Sequence, residues 1–338
     1  MMKMPKIIAL HDADRWKHPN LALMKLSAWH KVRGITVERY AALRHIAYDR
    51  IYAAKVFSWS KDDLPEEGVI RGGTGYENNQ LWLSDGVEHI CPDYDLYPGV
   101  DYSMGFLTRG CIRSCPWCVV PEKEGEIRAH ADIEEFARHR NVMLLDNNVL
   151  AHIHGITQIE KMARLDLKVD FNQGLDARLI DKPIAERLAR LRWFKALRLA
   201  CDHKGQMPEV ERAVKLLRAA GVKPQRYSCY VLVKDIDDAL ERVEFLRGLN
   251  VTPFAQPYRD TQGTPITEEQ RRFARWVNLP MLFKSVAWEN EARNTGIKGK
   301  RPPLLPSVVK RKGDMQQHLF FEGIPMAVSN ASSGSPRP

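Results

Sequence analysis

The chain has 338 residues, 44% of them apolar, six cysteines and a formal net charge of +9. That apolar share can bury one large core or two moderate ones, so a disordered or fibrous chain is excluded. Charge inside the first apolar run, "MMKMPKIIALHDADRW", and the lack of any apolar run near the ~20 residues of a membrane span argue against a secretory leader or membrane anchor. The expectation is a cytoplasmic protein with no membrane partner.

In chain order, "KIIALHDAD" reads as a strand and "NLALMKLSAWHKVRG" as a helix capped by Asn20 and stopped by Gly34. "ITVERY" and "IYAAKVFSWS" read as strands, and "GVIRGGTGY" as a strand running into a glycine-rich turn. Residues 1–76 are therefore expected to form a small, doubly wound, Rossmann-like α/β domain, and residues 77–104, with "CPDYDLYPG", a linker. Six strand-like runs follow: "MGFLTRGC", "NVMLLDNN", "LKVDFNQGLDARLI", "FKALRLACDH", "RYSCYVLV" and "VTPFAQPY". Each precedes a helix or loop, the pattern of parallel βα units. Six units are too few for a closed eightfold barrel of ~250 residues, so residues 105–260 are expected to form a partial, open (β/α)6 barrel. Residues 261–328 read as a basic, mostly helical extension, and 329–338, "SNASSGSPRP", as a disordered tail.

Three of the six cysteines, Cys111, Cys115 and Cys118, form C-x3-C-x2-C directly after a strand ending in Gly110. In a reducing compartment such a cluster points to metal or redox chemistry and not to disulfides. A structural zinc takes four ligands, usually from two C-x2-C pairs, and only Cys115 and Cys118 make such a pair. A zinc-stabilised nucleic-acid-binding protein without catalysis is one reading. The other is a four-iron cluster held by three thiolates, which leaves one iron open for a substrate or cofactor.

The stretch "CIRSCPWC", with Trp117 in the aromatic slot of C-x3-C-x-aromatic-C, resembles the signature of the radical S-adenosylmethionine superfamily. The resemblance implies a [4Fe-4S] cluster on Cys111, Cys115 and Cys118, with S-adenosylmethionine on its open iron and reductive cleavage to a hydrogen-abstracting 5′-deoxyadenosyl radical. It also implies an external one-electron donor of the flavodoxin or ferredoxin kind. Carried over by position, "LLDNN" offers Asp146, Asn147 and Asn148 to the methionyl amine. "FNQGLDARLI" offers Gln173, Asp176 and Arg178 near the ribose and carboxylate, and "LRLACDH" offers Asp202. Trp117 joins this set as a cofactor neighbour.

The N-terminal segment with its late "GG-x-G" turn resembles the cobalamin-binding domain of some radical enzymes, and the chain as a whole resembles radical proteins of bacteria and their phages. The corrin ligand motif D-x-H-x-x-G is absent from "HDADRWKHPN", so cobalamin is not expected, and His11 and His18 read as loop histidines. The cluster loop is also similar to that of methylthiotransferases, whose N-terminal domain carries three further cysteines; here only Cys91 stands there. Cys201 and Cys229 lie within strand-like runs and read as inert buried thiols.

The charge excess is local. Residues 271–313 hold eleven Lys and Arg, including Arg271, Arg275, Lys310, Arg311 and Lys312, against Glu289 and Glu291. Phe273, Trp276, Phe283 and Trp288 are interleaved with them, the mixture that binds polyanions with exposed bases. A nucleic-acid partner is therefore expected through residues 271–312.

Overall fold

The computed structural model describes residues 7–15, 18–76, 83–259 and 265–293. Four parallel strands, β1 (Ile7–Asp12), β2 (Thr36–Arg39), β3 (Arg50–Ala54) and β4 (Val69–Gly72), form a sheet in the order β2-β1-β3-β4. Helix α1 (Leu21–Lys31) begins where the Asn20 side chain accepts the Leu23 N–H at 3.2 Å, and the chain leaves it through Gly34 at φ +73°.

The expected linker is shorter and more ordered than its composition suggested. It holds α2 (Asp85–Glu88), and the next strand, β5 (Tyr102–Gly105), starts inside it. A two-residue hairpin, β6 (Thr108–Arg109) with β7 (Arg128–Ala129), brackets α3 (Val120–Lys123), and α4 (Ile133–Phe136) follows. Strands β8 (Asn141–Leu144), β9 (Lys168–Phe171) and β10 (Arg192–Trp193) alternate with α5 (Ile153–Arg164) and α6 (Lys182–Ala189). Strands β11 (Leu197–Ala200), β12 (Tyr227–Val233) and β13 (Thr252–Pro257) alternate with α7 (Met207–Ala219) and α8 (Ile236–Gly248). Helices α9 (Glu268–Asn278), α10 (Pro280–Ser285) and α11 (Trp288–Arg293) end the described chain.

All six expected strands are present, in two parallel sheets ordered β10-β9-β8-β5 and β11-β12-β13, with a bridge from Leu175 to Leu199 between them. They are shorter than the quoted runs: β9 stops at Phe171, and "NQGLDARLI" becomes a loop with a 3-10 turn at Ala177–Leu179. Alternation decides which face meets what. Val142, Leu144, Val169, Phe171, Leu197 and Leu199 pack on helix residues such as Ile159, Leu188 and Val210. The intervening positions Tyr102, Met104 and Met143 share one buried cluster with Ile8 and Leu10 of β1 and Leu23 and Met24 of α1. The N-terminal sheet and α1 together thus cover this face of β5 and β8.

The C-terminal aromatics depart from expectation. Phe273 and Trp276 are fully buried and Phe283 and Trp288 nearly so, packed on one another and on the main core. The Trp276 Nε1–H donates to the Val286 carbonyl at 2.9 Å. These four rings cannot stack on bases. The reason is helical period: Phe273, Ala274, Trp276 and Val277 share the inner face of α9, which turns the intervening arginines outward. Lys298, Lys300, Arg301, Lys310, Arg311 and Lys312, with the tail expected at 329–338, lie outside the described residues. No helix among the described residues is long and apolar enough to cross a membrane.

Candidate functional site

The cysteine loop is built from its base upward. At its entry the Asp146 carboxylate accepts the N–H groups of Leu107 at 3.1 Å and Thr108 at 2.6 Å, and the Thr108 hydroxyl at 2.7 Å. Burial pushes the Asp146 pKa up to about 6 against these donors. Gly110 then turns at φ +80°, where a Cβ would stand 2.2 Å from the Glu126 carbonyl oxygen, so no other residue fits. The Glu124 carboxylate accepts the Gly110 N–H at 2.9 Å and the Asn147 amide at 3.0 Å. Cys111 N–H reaches the Gly125 carbonyl at 3.2 Å, and Cys118 N–H closes a turn on the Cys115 carbonyl at 3.0 Å.

The loop forms one wall of a cavity of about 830 Å³. Cys111, Cys115, Cys118 and Trp117 line it from the loop; Asn147, Asn148, Gln173, Asp176, Arg178 and Asp202 line it from the strand ends. Of the expected site residues Asp146 alone does not line it. Its carboxylate is spent on the loop backbone, so it is a clamp and not a cofactor contact.

Next to Cys111, the Asn148 Nδ2 lies 3.5 Å from the Cys111 sulfur and 3.4 Å from Asp176 Oδ2, while its Oδ1 is buried without a hydrogen-bond partner. Asp176 accepts the Arg178 Nε at 2.7 Å and Nη2 at 3.1 Å, and the Arg113 Nε at 3.0 Å. Burial pushes this carboxyl up, but the two guanidinium groups hold it below the usual range. Arg178, expected near the cofactor's ribose and carboxylate, is thus already paired with Asp176. Burial pushes the Cys115 and Cys118 thiols and the Asp202 carboxyl up. Trp117 meets the His203 ring edge-on at 5.7 Å. Gly174 at φ +87° turns the β9 loop back under Tyr230, whose hydroxyl donates to the Asn172 carbonyl at 2.8 Å.

Sequence reasoning missed Arg113, which stands inside the cysteine motif itself, and Glu124 six residues beyond it. On the opposite wall it missed Gln256 near the end of β13 and Tyr258 and Arg259 just after it, which line the cavity together with Arg271 and Arg275 of α9, two arginines of the expected basic stretch. The "GGTG" turn is a packing device: Cβ atoms on Gly73 and Gly75 would meet the Lys55 and Phe57 carbonyls at 2.4 and 2.7 Å, and the Thr74 hydroxyl accepts from Lys123 beside the cysteine loop.

Among the described residues no three Cys, His, Asp or Glu side chains converge closely enough to hold a single metal ion. A four-iron cube takes each thiolate on a separate iron and asks for no such convergence, and an all-sulfur donor set suits it.

No protein-family model matches the chain, and no curated protein matches it. Among solved structures, SuiB of Streptococcus suis, in its complex with the precursor peptide SuiA, aligns with a TM-score of 0.41 and 14% identity, covering 55% of this chain and 47% of that one. The chain spans just under half of SuiB, and a likeness of this strength assigns neither family nor substrate.

Proposed function

We propose that this chain is a radical S-adenosylmethionine enzyme, with β5, β8, β9, β11, β12 and β13 forming a partial six-stranded barrel, the short β10 at its side and the cysteine loop after the first strand. The observation that carries the reading is the joining, in one cavity, of the three cysteines with an unpartnered buried acceptor and a paired set of guanidinium groups. An amino acid's ammonium needs acceptors and its carboxylate needs donors. Asn148 Oδ1 and Asp176 supply the first beside Cys111; the remaining N–H groups of Arg178 and Arg113 supply the second.

Cys111, Cys115 and Cys118 would hold the [4Fe-4S] cluster, with Gln173 and Asp202 beside the ribose and Trp117 beside the purine. When bound, the cluster and S-adenosylmethionine supply a 5′-deoxyadenosyl radical, on receipt of one electron from an external flavodoxin- or ferredoxin-like donor. Around that site the chain's own residues orient and shield. Asp176 fixes both arginines, Asn148 bridges cysteine and carboxylate, and Tyr230 with Leu232 and Phe254 forms an apolar wall that limits water near a reactive carbon.

Anaerobic reconstitution with iron and sulfide tests the reading. The expected results are a broad absorption band near ~400 nm and 5′-deoxyadenosine formed from S-adenosylmethionine under a strong reductant, both lost in Cys115→Ala. One tight zinc per chain with no 5′-deoxyadenosine would overturn it in favour of a zinc-stabilised binding protein.

A further inference from the structure

The wall of the cavity opposite the cysteines is strongly cationic and has an exposed tryptophan, Trp59, at its edge. Arg259, Arg271 and Arg275 all line it. Arg271 and Arg275 stand one helical turn apart on α9, more than half exposed, with Glu268 at 3.2 Å and Glu291 at 3.6 Å as rim partners. The first pair is exposed and the second is long, so both are weak and exchange readily for a better anion. Arg259 has a second neighbour: its guanidinium carbon lies 4.4 Å from the centroid of Trp59. Trp59 comes from the N-terminal sheet, on the loop after β3, and stacks on Phe57 at 4.9 Å with the planes 18° apart. It is 41% exposed. Asp14 holds this loop in place, accepting the Val56 N–H at 2.7 Å and the Ser60 hydroxyl at 2.5 Å.

From this geometry we infer that the mouth of the cavity is a docking site for single-stranded nucleic acid, its phosphates on Arg271, Arg275 and an Arg259 that swings off the Trp59 ring, and a base in the place over Trp59 that Arg259 vacates. The two features belong together chemically. Guanidinium groups alone take any anion, carboxylates of an acidic peptide included, but a flat aromatic platform beside them matches the alternation of phosphate and base in a polynucleotide. A duplex buries its bases in the stack and presents none to such a platform. The platform is not the one expected from the sequence: the C-terminal tryptophans are core, and the exposed ring belongs to the other end of the chain. The inference rests on the radical reading only for the fate of the docked strand, because the rim needs no cluster to bind.

The test is fluorescence anisotropy with labelled RNA of about 15 nucleotides, single-stranded DNA of the same sequence and a polyglutamate peptide of similar charge, added to the full-length reconstituted protein. Both nucleic acids should bind more tightly than polyglutamate, the ratio between them identifying the natural sugar. Affinity should fall from ~50 to ~200 mM salt with a log–log slope of about −2, one contact per arginine. The double variant Arg271→Glu, Arg275→Glu should flatten that slope by about 1.4. Trp59→Ala should weaken binding about 5-fold or more at every salt concentration, and Trp59→Phe should restore most of it. Thermal unfolding of each variant separates lost docking from lost folding. Equal binding of polyglutamate, or well-folded rim variants that bind like the parent, overturns the assignment. The two readings fail separately: 5′-deoxyadenosine formation without nucleic-acid binding removes the substrate class alone, and binding without 5′-deoxyadenosine removes the radical chemistry alone.

Discussion

Asn148 shows how much one side chain can decide. A buried amide oxygen without a partner costs free energy unless a donor arrives, and this one belongs to a residue that lines the cavity and whose amide nitrogen already sits beside Cys111 and Asp176. An ammonium meets the requirement with a charge-assisted hydrogen bond, of the order of 1.5–3 kcal/mol. Asn148→Ala should therefore weaken S-adenosylmethionine binding about 10-fold to 100-fold by calorimetry, with the ~400 nm band of the reconstituted cluster intact. An unchanged Kd would remove Asn148 from the cofactor pocket. The logic is different for Arg178. Because Asp176 already holds it, Arg178→Ala leaves a buried carboxylate with one guanidinium partner in place of two, and the variant should lose stability together with affinity. A fall in affinity at unchanged Tm would mean that Arg113 alone satisfies Asp176.

At the scale of elements, the cysteine loop is held by backbone geometry that tolerates little change. Gly110→Ala asks an L-residue to hold φ +80° with its Cβ 2.2 Å from the Glu126 carbonyl oxygen. The loop must shift, so iron per chain after reconstitution should fall well below that of the parent while the circular dichroism spectrum is kept. Full iron occupancy would show that the hairpin relaxes elsewhere. In α9, Trp276→Ala opens a cavity among Phe273, Phe283 and Trp288 and should cost about 3–5 kcal/mol, read as a lower Tm. A change below about 1 kcal/mol would mean that the three helices barely support the core. The same helix marks the limit of what sequence carries. The six strands were legible because β-branched and aromatic runs alternate and end in Gly, Asp or Asn, and the cysteines, Asn148 and Asp176 were legible through the motif and its register. Which face of α9 turns inward was not, since arginines and aromatics alternate there in a way that suits a core or a binding surface equally. Nor was the partner of Met104 and Met143, because apolar alternation looks the same against a helix and against a second sheet.

Across the whole molecule, the N-terminal sheet and the cysteine-bearing unit are joined by a shared apolar cluster and by a buried polar hub at its edge. Glu88 on α2 is the centre of the hub. Its carboxylate lies 2.8 Å from Lys25 of α1, and 3.7 Å from both Arg109 at the foot of the cysteine loop and His130 just after β7. Burial, reinforced by the positive charges of Arg109 and Lys25, pushes the His130 pKa down to about 4. Burial alone would raise Glu88, but Lys25 and Arg109 hold it below the usual range. The sign for His130 follows from linkage: the folded chain keeps the ring neutral down to about pH 4, whereas the unfolded chain protonates it near its ordinary 6.5. The stability His130 contributes is thus complete above pH 6.5 and is lost as pH falls from 6.5 through 4. The depressed Glu88 carboxyl acts in the same direction in a lower window, as pH falls below its ordinary value of 4.5. Between pH 7.5 and pH 5 the folded chain keeps Glu88 ionised, but the buried Asp146 carboxyl takes up its proton at about 6 with the opposite sign, and His11 and His30 act with His130. The His130 share is therefore read, in thermal unfolding, from the difference between the parent and a His130 variant. The parent Tm should fall across that range, and His130→Gln, which has no proton to take up there, should fall less steeply. Parallel curves would show that the acid sensitivity of the joint lies elsewhere, in which case the hub holds the two units together by hydrogen bonding and shape and not by its charge state.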